Sequence, residues 1–262
     1  MRPLSSTRPR GALAGADRYL APEAEPAVPV ALRGAVKAVI GLDNRPLFEH
    51  HVVPGGYTGG DLRTAYDAGG LTGGGAGITV ATVQFDGWYP NDATTYAAAA
   101  GISLAANQIA TVQLPQSNVV PDGSGGDQEA ALDVEALLAT APKAAQRVYV
   151  APNNAAGAIA AYNQVADDVA AGLVQVVATS WGACEPVFSA TLLQQMATPI
   201  DRLVASGGTM FAASGDSGAY GCANALHPDG QLAVDFPASL PSVVAVGGTR
   251  LTSNSSGAYS ET

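Results

Sequence analysis

Short apolar runs alternate with helix-length segments along most of this chain, and this alternation limits the fold more than any other feature. The predicted strands cover residues 78–85, 109–114, 146–150, 173–179, 209–213 and 242–246. The predicted helices cover residues 61–68, 91–100, 125–140, 155–171 and 191–206. Strands joined by crossover helices form a parallel sheet. The sequence therefore predicts an α/β fold, a doubly wound parallel sheet with helices on both faces, whose functional site lies outside the carboxyl ends of the strands.

The charge balance excludes some classes of partner. The 262 residues contain only 12 Lys and Arg, and the formal net charge is −10. A chain with so few cations cannot build the basic patch that binds nucleic acid or an anionic membrane. Charged residues make up only 13% of the chain, which is typical of a surface solvated by neutral polar groups and favours an extracellular, acidic setting. No apolar run reaches the ~18 residues of a membrane-spanning helix.

The helix at 125–140 carries four acidic residues, and two of them, Glu129 and Asp133, are four residues apart and therefore lie on one face. Leu132, Ala136 and Ala139 recur at helical spacing and predict its apolar stripe. The carboxylates have two interpretations. They form either a solvated acidic first turn, which the helix dipole favours, or a coupled acid/base pair that shares a proton. The dipole is expected to keep the outer carboxylate ionised at fairly low pH.

Two other polar stretches fall at predicted strand ends. Ser180-Trp181-Gly182 follows the fourth strand and 214–218 follows the fifth, while the helix with the carboxylates also begins after a strand. All three features converge on one edge of the sheet, which favours the acid/base interpretation. Trp181 has a simpler interpretation as a buried aromatic side chain beneath the site.

The segment Gly215-Asp216-Ser217-Gly218 does not indicate a trypsin-like nucleophile. That class needs a base histidine and an all-β fold, whereas the upstream histidines, His50 and His51, lie in a linker-like region. The nucleophile-elbow pattern is also incomplete around Ser217. A site without histidine needs another base, most simply a carboxylate working below neutral pH. The histidines lack partners at ligand spacing, so no metal site is predicted.

Several motifs occur in a fixed order from residue 57 to residue 262. They are Tyr57-Thr-x-x-Asp-Leu-Arg-x-x-Tyr66, Glu129-Ala-Ala-Leu-Asp133-Val, Ser180-Trp-Gly-x-x-Glu185, Ala213-Ser-Gly-Asp-Ser-Gly-x-x-x-Cys222, Phe236-Pro-Ala-Ser239 and Val246-Gly-Gly-Thr249. The ordered set resembles the N-terminal part of the catalytic domain of the sedolisins, the serine-carboxyl peptidases with a subtilisin-like fold. The resemblance implies an acid endopeptidase that is secreted, acts on protein or peptide substrates and is monomeric.

The resemblance also implies a role for each residue of the site. Glu129 would be the general base, Asp133 would hold and tune it, and Asp216 would donate a hydrogen bond to the oxyanion. Residues 180–182 would bind the extended substrate along a strand edge. Some family members extend the relay with another acid after the first strand, where this chain has Gln84 and Asp86. Gln84 cannot relay a proton, so this extension is left open.

The family's nucleophilic serine lies in a Gly-Thr-Ser-like motif downstream of Val-Gly-Gly-Thr, and its calcium site lies near the C-terminus. Neither is found before Thr262. The expectation is therefore that residues 1–56 are the tail of a pro-segment with an activation linker, that 57–262 are an incomplete catalytic domain, and that this fragment is inactive by itself. Calcium is expected for the full-length family only.

Cys184 and Cys222 follow the fourth and fifth predicted strands, on the same sheet edge, and predict a disulfide. Two separate buried cysteines are the alternative.

Two other function classes compete with the peptidase interpretation. A non-catalytic pseudo-peptidase that binds peptides or a protein partner keeps the fold but does not need a repelling pair of carboxylates. A small-molecule-binding domain predicts phosphate-binding signatures at strand ends, and none is found.

Overall fold

The structure is a computed structural model, and it describes residues 57, 59–114, 118–121, 126–220, 232–253 and 258–262. These residues all belong to one compact unit, which covers residues 54–262. Residues 30–42, whose apolar pattern indicates a strand or a helix, lie outside the described residues, as do His50, His51, Cys222 and His227.

The described residues form five α-helices and ten strands, each numbered in chain order. The helices α1 to α5 are Gly59–Ala65, Pro90–Ala99, Gly126–Thr140, Ala155–Ala170 and Ala190–Ala205. The strands β1 to β10 are Thr79–Gln84, Ile109–Gln113, Ala145–Val150, Val176–Thr179, Ala183–Cys184, Thr209–Ala213, Asp235–Phe236, Val244–Val246, Leu251–Ser253 and Tyr259–Glu261.

Six strands form the main sheet, in the order β2-β3-β1-β4-β6-β8, and all of its pairs are parallel. The strand β1 lies between β3 and β4, with Gln84 opposite Val150 and Thr82 opposite Ala178. The chain therefore leaves β1, β4 and β6 at the same edge. The predicted parallel sheet is confirmed, and the main strands and helices begin and end within a few residues of their predicted bounds.

Helices cover both faces of the sheet, as predicted. On one face, α4 and α5 pack on β1, β4 and β6 around Tyr162, Ile200 and Met210. On the other face, α2 and α3 pack on β3 around Val134, Leu138 and Val148. The site edge is therefore supported by two separate cores.

Local sequence explains where two of these helices begin and end. The side chain of Asn154 caps α4 by accepting from the backbone N–H of Gly157, and Ser189 caps α5 by accepting from Leu192. Gly172 and Gly207 follow the two helices with φ of 74° and 94°, a conformation that favours glycine.

The predicted apolar stripe of α3 is confirmed at Ala139, which is buried, but is wrong at Leu132 and Ala136. Leu132 is 59% exposed, and Ala136 is also exposed, whereas Ala130, Val134 and Leu138 are fully buried. The true stripe has i, i+4 spacing and lies beside the row of Glu129 and Asp133. Helix α3 therefore packs on the sheet along Ala130, Val134 and Leu138, and its carboxylates lie at the boundary of the buried face.

Two small antiparallel pairs were not predicted. The two-residue strands β5 and β7 pair Ala183 with Phe236 and Cys184 with Asp235. The hairpin of β9 and β10 pairs Tyr259 with Ser253, and the Tyr259 hydroxyl donates to Asp61 on α1. These strands are too short for their residue pattern to show a period.

Candidate active site

Helix α3 begins against the ends of β1 and β4 because its first residue has no side chain. A Cβ on Gly126 would lie 2.7 Å from the Cβ of Asp86 and 2.8 Å from Cη2 of Trp181. Real Cβ atoms do not approach other atoms so closely, so glycine is what allows this contact. The close approach brings Glu129 and Asp133, in the first two turns of α3, to the carboxyl edge of the sheet.

Two side chains from neighbouring strands bind Asp133. The amide Nε2 of Gln84 donates to Oδ2 of Asp133 at 2.7 Å, and the hydroxyl of Ser180 donates to Oδ1 at 2.6 Å. Gln84 is the last residue of β1 and is fully buried, while Ser180 directly follows β4. Both oxygens of the Asp133 carboxyl group therefore accept a hydrogen bond from a neutral donor, and these bonds are strongest when the carboxyl group is ionised.

Trp181 connects the site to the aromatic core. Its Nε1–H donates to Oε1 of Gln84 at 2.7 Å, and its ring meets Phe85 edge to face with centroids 5.8 Å apart. The indole bond fixes the orientation of the Gln84 amide, so that its NH₂ group faces Asp133. Trp181 is a partly buried aromatic residue, close to the simpler interpretation of a buried aromatic side chain. It also lines the two cavities described below.

Two of the carboxyl groups on α3, those of Glu129 and Asp133, have a raised pKa and so bind their protons more tightly than usual. Burial raises the pKa of Glu129, with further increases from the charges of Asp133 and Asp216, against a hydrogen bond from Ser180 that lowers it. Burial also raises the pKa of Asp133, against the hydrogen bonds from Ser180 and Gln84. The expectation that the helix dipole holds the outer carboxylate ionised at low pH is wrong, because desolvation outweighs it.

Asp216 lies near this pair, after the end of β6. It follows Gly215, whose φ is 109°, and its side chain is exposed. Its charge acts on Glu129 and on Asp235, whose pKa is raised first by burial and then by Asp216. The edge thus brings together three of the predicted residues, Glu129, Asp133 and Asp216.

Sequence reasoning did not assign two residues of this region. Gln84 was left open because it cannot relay a proton, and its role as a donor depends on strand pairing. Asp235 was not considered, although it directly precedes the Phe236-Pro-Ala-Ser239 motif. Its carboxylate lies against Gly182 and Gly215, and its buried Oδ1 has no hydrogen-bond partner among the described residues.

Two cavities open at the edge, and Phe85, Asn153, Trp181 and Gly182 line both of them. The polar cavity, of about 360 Å³, is also lined by Asp86, Gly126, Glu129 and Ser180. The apolar cavity, of about 390 Å³, is also lined by Tyr162, Phe188, Leu192, Met196 and Phe236. Glu129 therefore lines the polar cavity, and the slightly larger apolar cavity beside it suits an apolar group.

Two curated proteins and a solved structure are similar to this chain. No family model matches the chain. The chain is 33% identical to kumamolisin from Bacillus sp. (strain MN-32) over 245 residues, which is 86% of this chain and 43% of kumamolisin. It is 36% identical to sedolisin from Pseudomonas sp. (strain 101) over 165 residues, which is 60% of this chain and 28% of that protein. A solved structure of Pseudomonas sedolisin, a serine-carboxyl proteinase complexed with two molecules of pseudo-iodotyrostatin, matches with a TM-score of 0.68 and 32% identity. That match covers 79% of this chain and 58% of the sedolisin chain.

The chain belongs to the sedolisin family. The family and the subtilisin-like fold expected from the ordered motifs are confirmed. A lanthipeptide protease shares the fold alone, with a TM-score of 0.51 and 15% identity. The chain spans less than half the length of the two curated sedolisin relatives that it matches.

The remaining predicted features of this sedolisin-family chain are only partly described. Cys184 is buried, at 3% exposure, and Cys222 lies outside the described residues, so the disulfide stays a prediction. Across the part of the chain that the structure describes, no group of three or more His, Cys, Asp or Glu could hold a metal ion. We therefore assign no calcium site to these residues. No helix within the described ranges is long and apolar enough to cross a membrane.

Proposed function

We propose that this chain carries the carboxylate part of a serine-carboxyl peptidase site that hydrolyses peptide bonds at acid pH. One observation carries the proposal. Glu129 and Asp133 stand at the carboxyl edge of the sheet, Ser180 and Gln84 bind the inner carboxylate, and the outer one lines a polar cavity of about 360 Å³. A solvated acidic first turn would not have neighbouring strands binding one of its carboxylates.

Glu129 is the proposed general base. A base works best when its pKa lies near the working pH, and burial raises the pKa of Glu129 above the usual value for glutamate. Asp133 orients and tunes Glu129 from one turn further along α3. Two hydrogen-bond donors fix Asp133 itself, so the pair has a defined geometry.

Asp216 is the proposed oxyanion donor. Its carboxyl group donates a hydrogen bond only in its protonated form. Its position after β6, close enough to Glu129 to raise the pKa of that residue, supports this role. In the longest product of the gene, replacing Asp216 with Ala removes a donor and is expected to lower kcat by about 10²–10³-fold. Asp216→Asn keeps an N–H donor and is expected to retain more activity, so equal loss in the two variants would contradict the role.

The substrate is a protein or peptide bound in extended form. Residues 180–182 connect β4 to β5, and their backbone is proposed to pair with the extended substrate. The apolar cavity beside Trp181 suits a large apolar side chain of the substrate. The net charge of −10 does not suit nucleic acid as a partner. We further propose that the protein is secreted, acts as a monomer, and has its catalytic domain from residue 57 onward.

No serine of the 262 residues stands in a Gly-Thr-Ser context, and the Ser180 hydroxyl is bound to Asp133. We therefore propose that these residues alone do not hydrolyse peptides. The alternative function is binding of peptides without hydrolysis. The experiment described next distinguishes it from the peptidase function.

The test is hydrolysis of a fluorogenic peptide from pH 3 to pH 7 by the 262-residue chain and by the longest product of its gene. We expect acid-dependent hydrolysis by the longest product only, lost in Glu129→Ala. Hydrolysis by the 262-residue chain that disappears in Glu129→Ala would contradict its proposed inactivity. Full activity of the longest product carrying Glu129→Ala would overturn the peptidase mechanism, and peptide binding without any hydrolysis would support a binding role.

A further inference from the structure

A buried hydroxyl without a partner belongs to the wall of the apolar cavity. Tyr162, in the middle of α4, is only 3% exposed and lines this cavity. Its hydroxyl makes no hydrogen bond with any residue that the structure describes, and burial alone raises its pKa. Buried tyrosine hydroxyls usually have a hydrogen-bond partner, because an unpaired one loses its hydration without compensation. The partner of the Tyr162 hydroxyl therefore has to come from a group that enters the cavity.

Aromatic rings form a continuous wall along the same cavity. Phe85 meets Tyr162 edge to face with centroids 6.4 Å apart, and it meets Trp181 in the same way at 5.8 Å. Phe236 meets Tyr162 at 6.5 Å and Phe188 at 5.9 Å. All five residues line the cavity. Because the edge of one ring is attracted to the face of another, this wall favours an aromatic occupant.

The chemistry of the wall narrows the choice of occupant further. Among the described residues that line the cavity, none is charged, so a charged side chain would lose its hydration without gaining an ion pair. An aliphatic or phenyl group would leave the Tyr162 hydroxyl unpaired. A phenol satisfies both conditions, because it has an aromatic ring and a hydroxyl that can donate or accept.

We propose that the apolar cavity is a specificity pocket in which the Tyr162 hydroxyl hydrogen-bonds the hydroxyl of a substrate tyrosine. The inference rests on the proposed function in taking the occupant to be a side chain of the substrate. The polar cavity lined by Glu129 shares Trp181 and Gly182 with the apolar one. A peptide bound at Glu129 therefore brings a nearby side chain to the apolar cavity. Tyr162 selects that side chain and does not touch the reacting atoms.

The test measures binding of two small probes to the 262-residue chain by NMR. Para-ethylphenol has the ring and hydroxyl of a tyrosine side chain, whereas ethylbenzene lacks the hydroxyl. The ¹³C-labelled methyl group of Met196 reports occupancy, because Met196 is buried and lines the cavity. Met210, which is buried in β6 and does not line the cavity, is the internal reference.

We expect Tyr162→Phe to weaken binding of para-ethylphenol relative to ethylbenzene by roughly 3–10-fold, the effect of losing one neutral hydrogen bond. A tyrosine that only packs in the wall would change both affinities equally and leave their ratio unchanged. Tyr96→Phe is the matched control. Tyr96 is a partly buried tyrosine of α2 that packs on the core of the opposite sheet face, so its substitution should leave the ratio unchanged.

A second measurement tests whether the occupant is a peptide side chain. Hexapeptide amides of Ala and Gly with one Tyr, scanned through every position, compete with para-ethylphenol for the 262-residue chain. We expect at least one Tyr peptide to displace the phenol at roughly 3–10-fold lower concentration than its Phe counterpart. Tyr162→Phe should remove that difference. Binding of the phenol without displacement by any Tyr peptide would indicate a free phenolic ligand and overturn the proposal.

Tyr162→Phe removes a hydroxyl that has no partner among the described residues, so it should not lower the temperature of unfolding. A less stable or unfolded variant would show that the hydroxyl has an internal partner, and would overturn the inference. So would an unchanged ratio of affinities in Tyr162→Phe, or failure of both probes to shift the Met196 signal. Because these measurements need no hydrolysis, their failure is distinguishable from failure of the proposed peptidase activity.

Discussion

The amide of Gln84 occupies a buried position where a titratable side chain would change the charge of the site. It accepts from Trp181 on one side and donates to Asp133 on the other. Because an amide stays neutral at every pH, Gln84 itself does not exchange a proton with the carboxyl groups of this site. The residue therefore stabilises an ionisable neighbour without itself gaining or losing a proton.

We predict that Gln84→Ala destabilises the protein by about 2–4 kcal/mol at pH 7, because it leaves a cavity and removes a donor from a partly buried carboxylate. Urea unfolding measures the change. Gln113→Ala is the control, since Gln113 is an exposed glutamine at the end of β2, and its loss should change stability by less than about 0.5 kcal/mol. Equal effects of the two substitutions would show that Gln84 has no special role.

At the scale of elements, the start of α3 depends on a glycine. Gly126 lets the helix approach Asp86 and Trp181 more closely than any side chain allows. Helix propensity alone would favour alanine there by about 1 kcal/mol. The overlap with Trp181 and Asp86 should outweigh that preference.

We therefore predict that Gly126→Ala lowers the free energy of unfolding by about 1–3 kcal/mol, the range for overpacking. Gly73→Ala is the control, because a Cβ at Gly73 would meet nothing within 4 Å; it should leave stability nearly unchanged. A gain in stability from Gly126→Ala would mean that helix α3 can shift without strain.

A buried charged group joins β3 to α4 away from the site. Asp168 accepts from Nη2 of Arg147 at 2.7 Å and from the hydroxyl of Tyr149, and Gln164 binds its other oxygen. The side chain of Asp168 is only 10% exposed. Its neighbour Asp167 pairs with Arg202 at the surface, where the two side chains are 59% and 44% exposed.

These adjacent aspartates allow a matched comparison. Asp168→Ala should destabilise the protein by about 3 kcal/mol or more, because it leaves Arg147 and Tyr149 without their buried partner. Asp167→Ala should cost less than about 1 kcal/mol, the usual value for an exposed pair. Thermal unfolding of the two variants compares them, and similar losses would show that burial of Asp168 does not matter.

At the scale of the whole molecule, the acidic site makes stability depend on pH. The pKa values of Glu129 and Asp133 are raised in the folded state above the ordinary 4.5 and 3.8, first by burial. The folded protein therefore binds these protons more tightly than the unfolded chain. Glu129 and Asp133 contribute most to the free energy of unfolding when both are protonated. This contribution declines as the pH rises from about 4 through their raised pKa values.

We predict that Glu129→Gln reduces the loss of thermal stability between pH 4 and pH 7. Glu261 gives a control of opposite sign, since hydrogen bonds from Thr249 and Tyr66 lower its pKa. Glu261 therefore stabilises the folded state above about pH 4.5, and this stabilisation is lost as the pH falls through the lowered pKa of Glu261. Glu261→Gln should therefore steepen the decline that Glu129→Gln reduces. The same direction of change in both variants would contradict the electrostatic account.

The sequence by itself determined the order of the elements, the parallel sheet and the edge where the site lies. These follow from local properties: strand and helix periods, the glycines and polar residues that end each element, and the rule that parallel strands deliver their carboxyl ends to one side. The i, i+4 spacing of Glu129 and Asp133 is also a local property, and it puts both side chains on one face of the helix. The ordered motifs then identified the sedolisin family, which the comparisons confirm.

Only the tertiary structure decided which face of α3 is buried, what binds Asp133, and how tightly the carboxyl groups hold their protons. The donors to Asp133 lie 49 and 47 residues away in the chain, one at the end of β1 and the other directly after β4. The buried row of Ala130, Val134 and Leu138 has the same spacing as the row of carboxylates beside it. Desolvation and cross-strand hydrogen bonds depend on distances between remote residues, and no local pattern in the sequence encodes those distances.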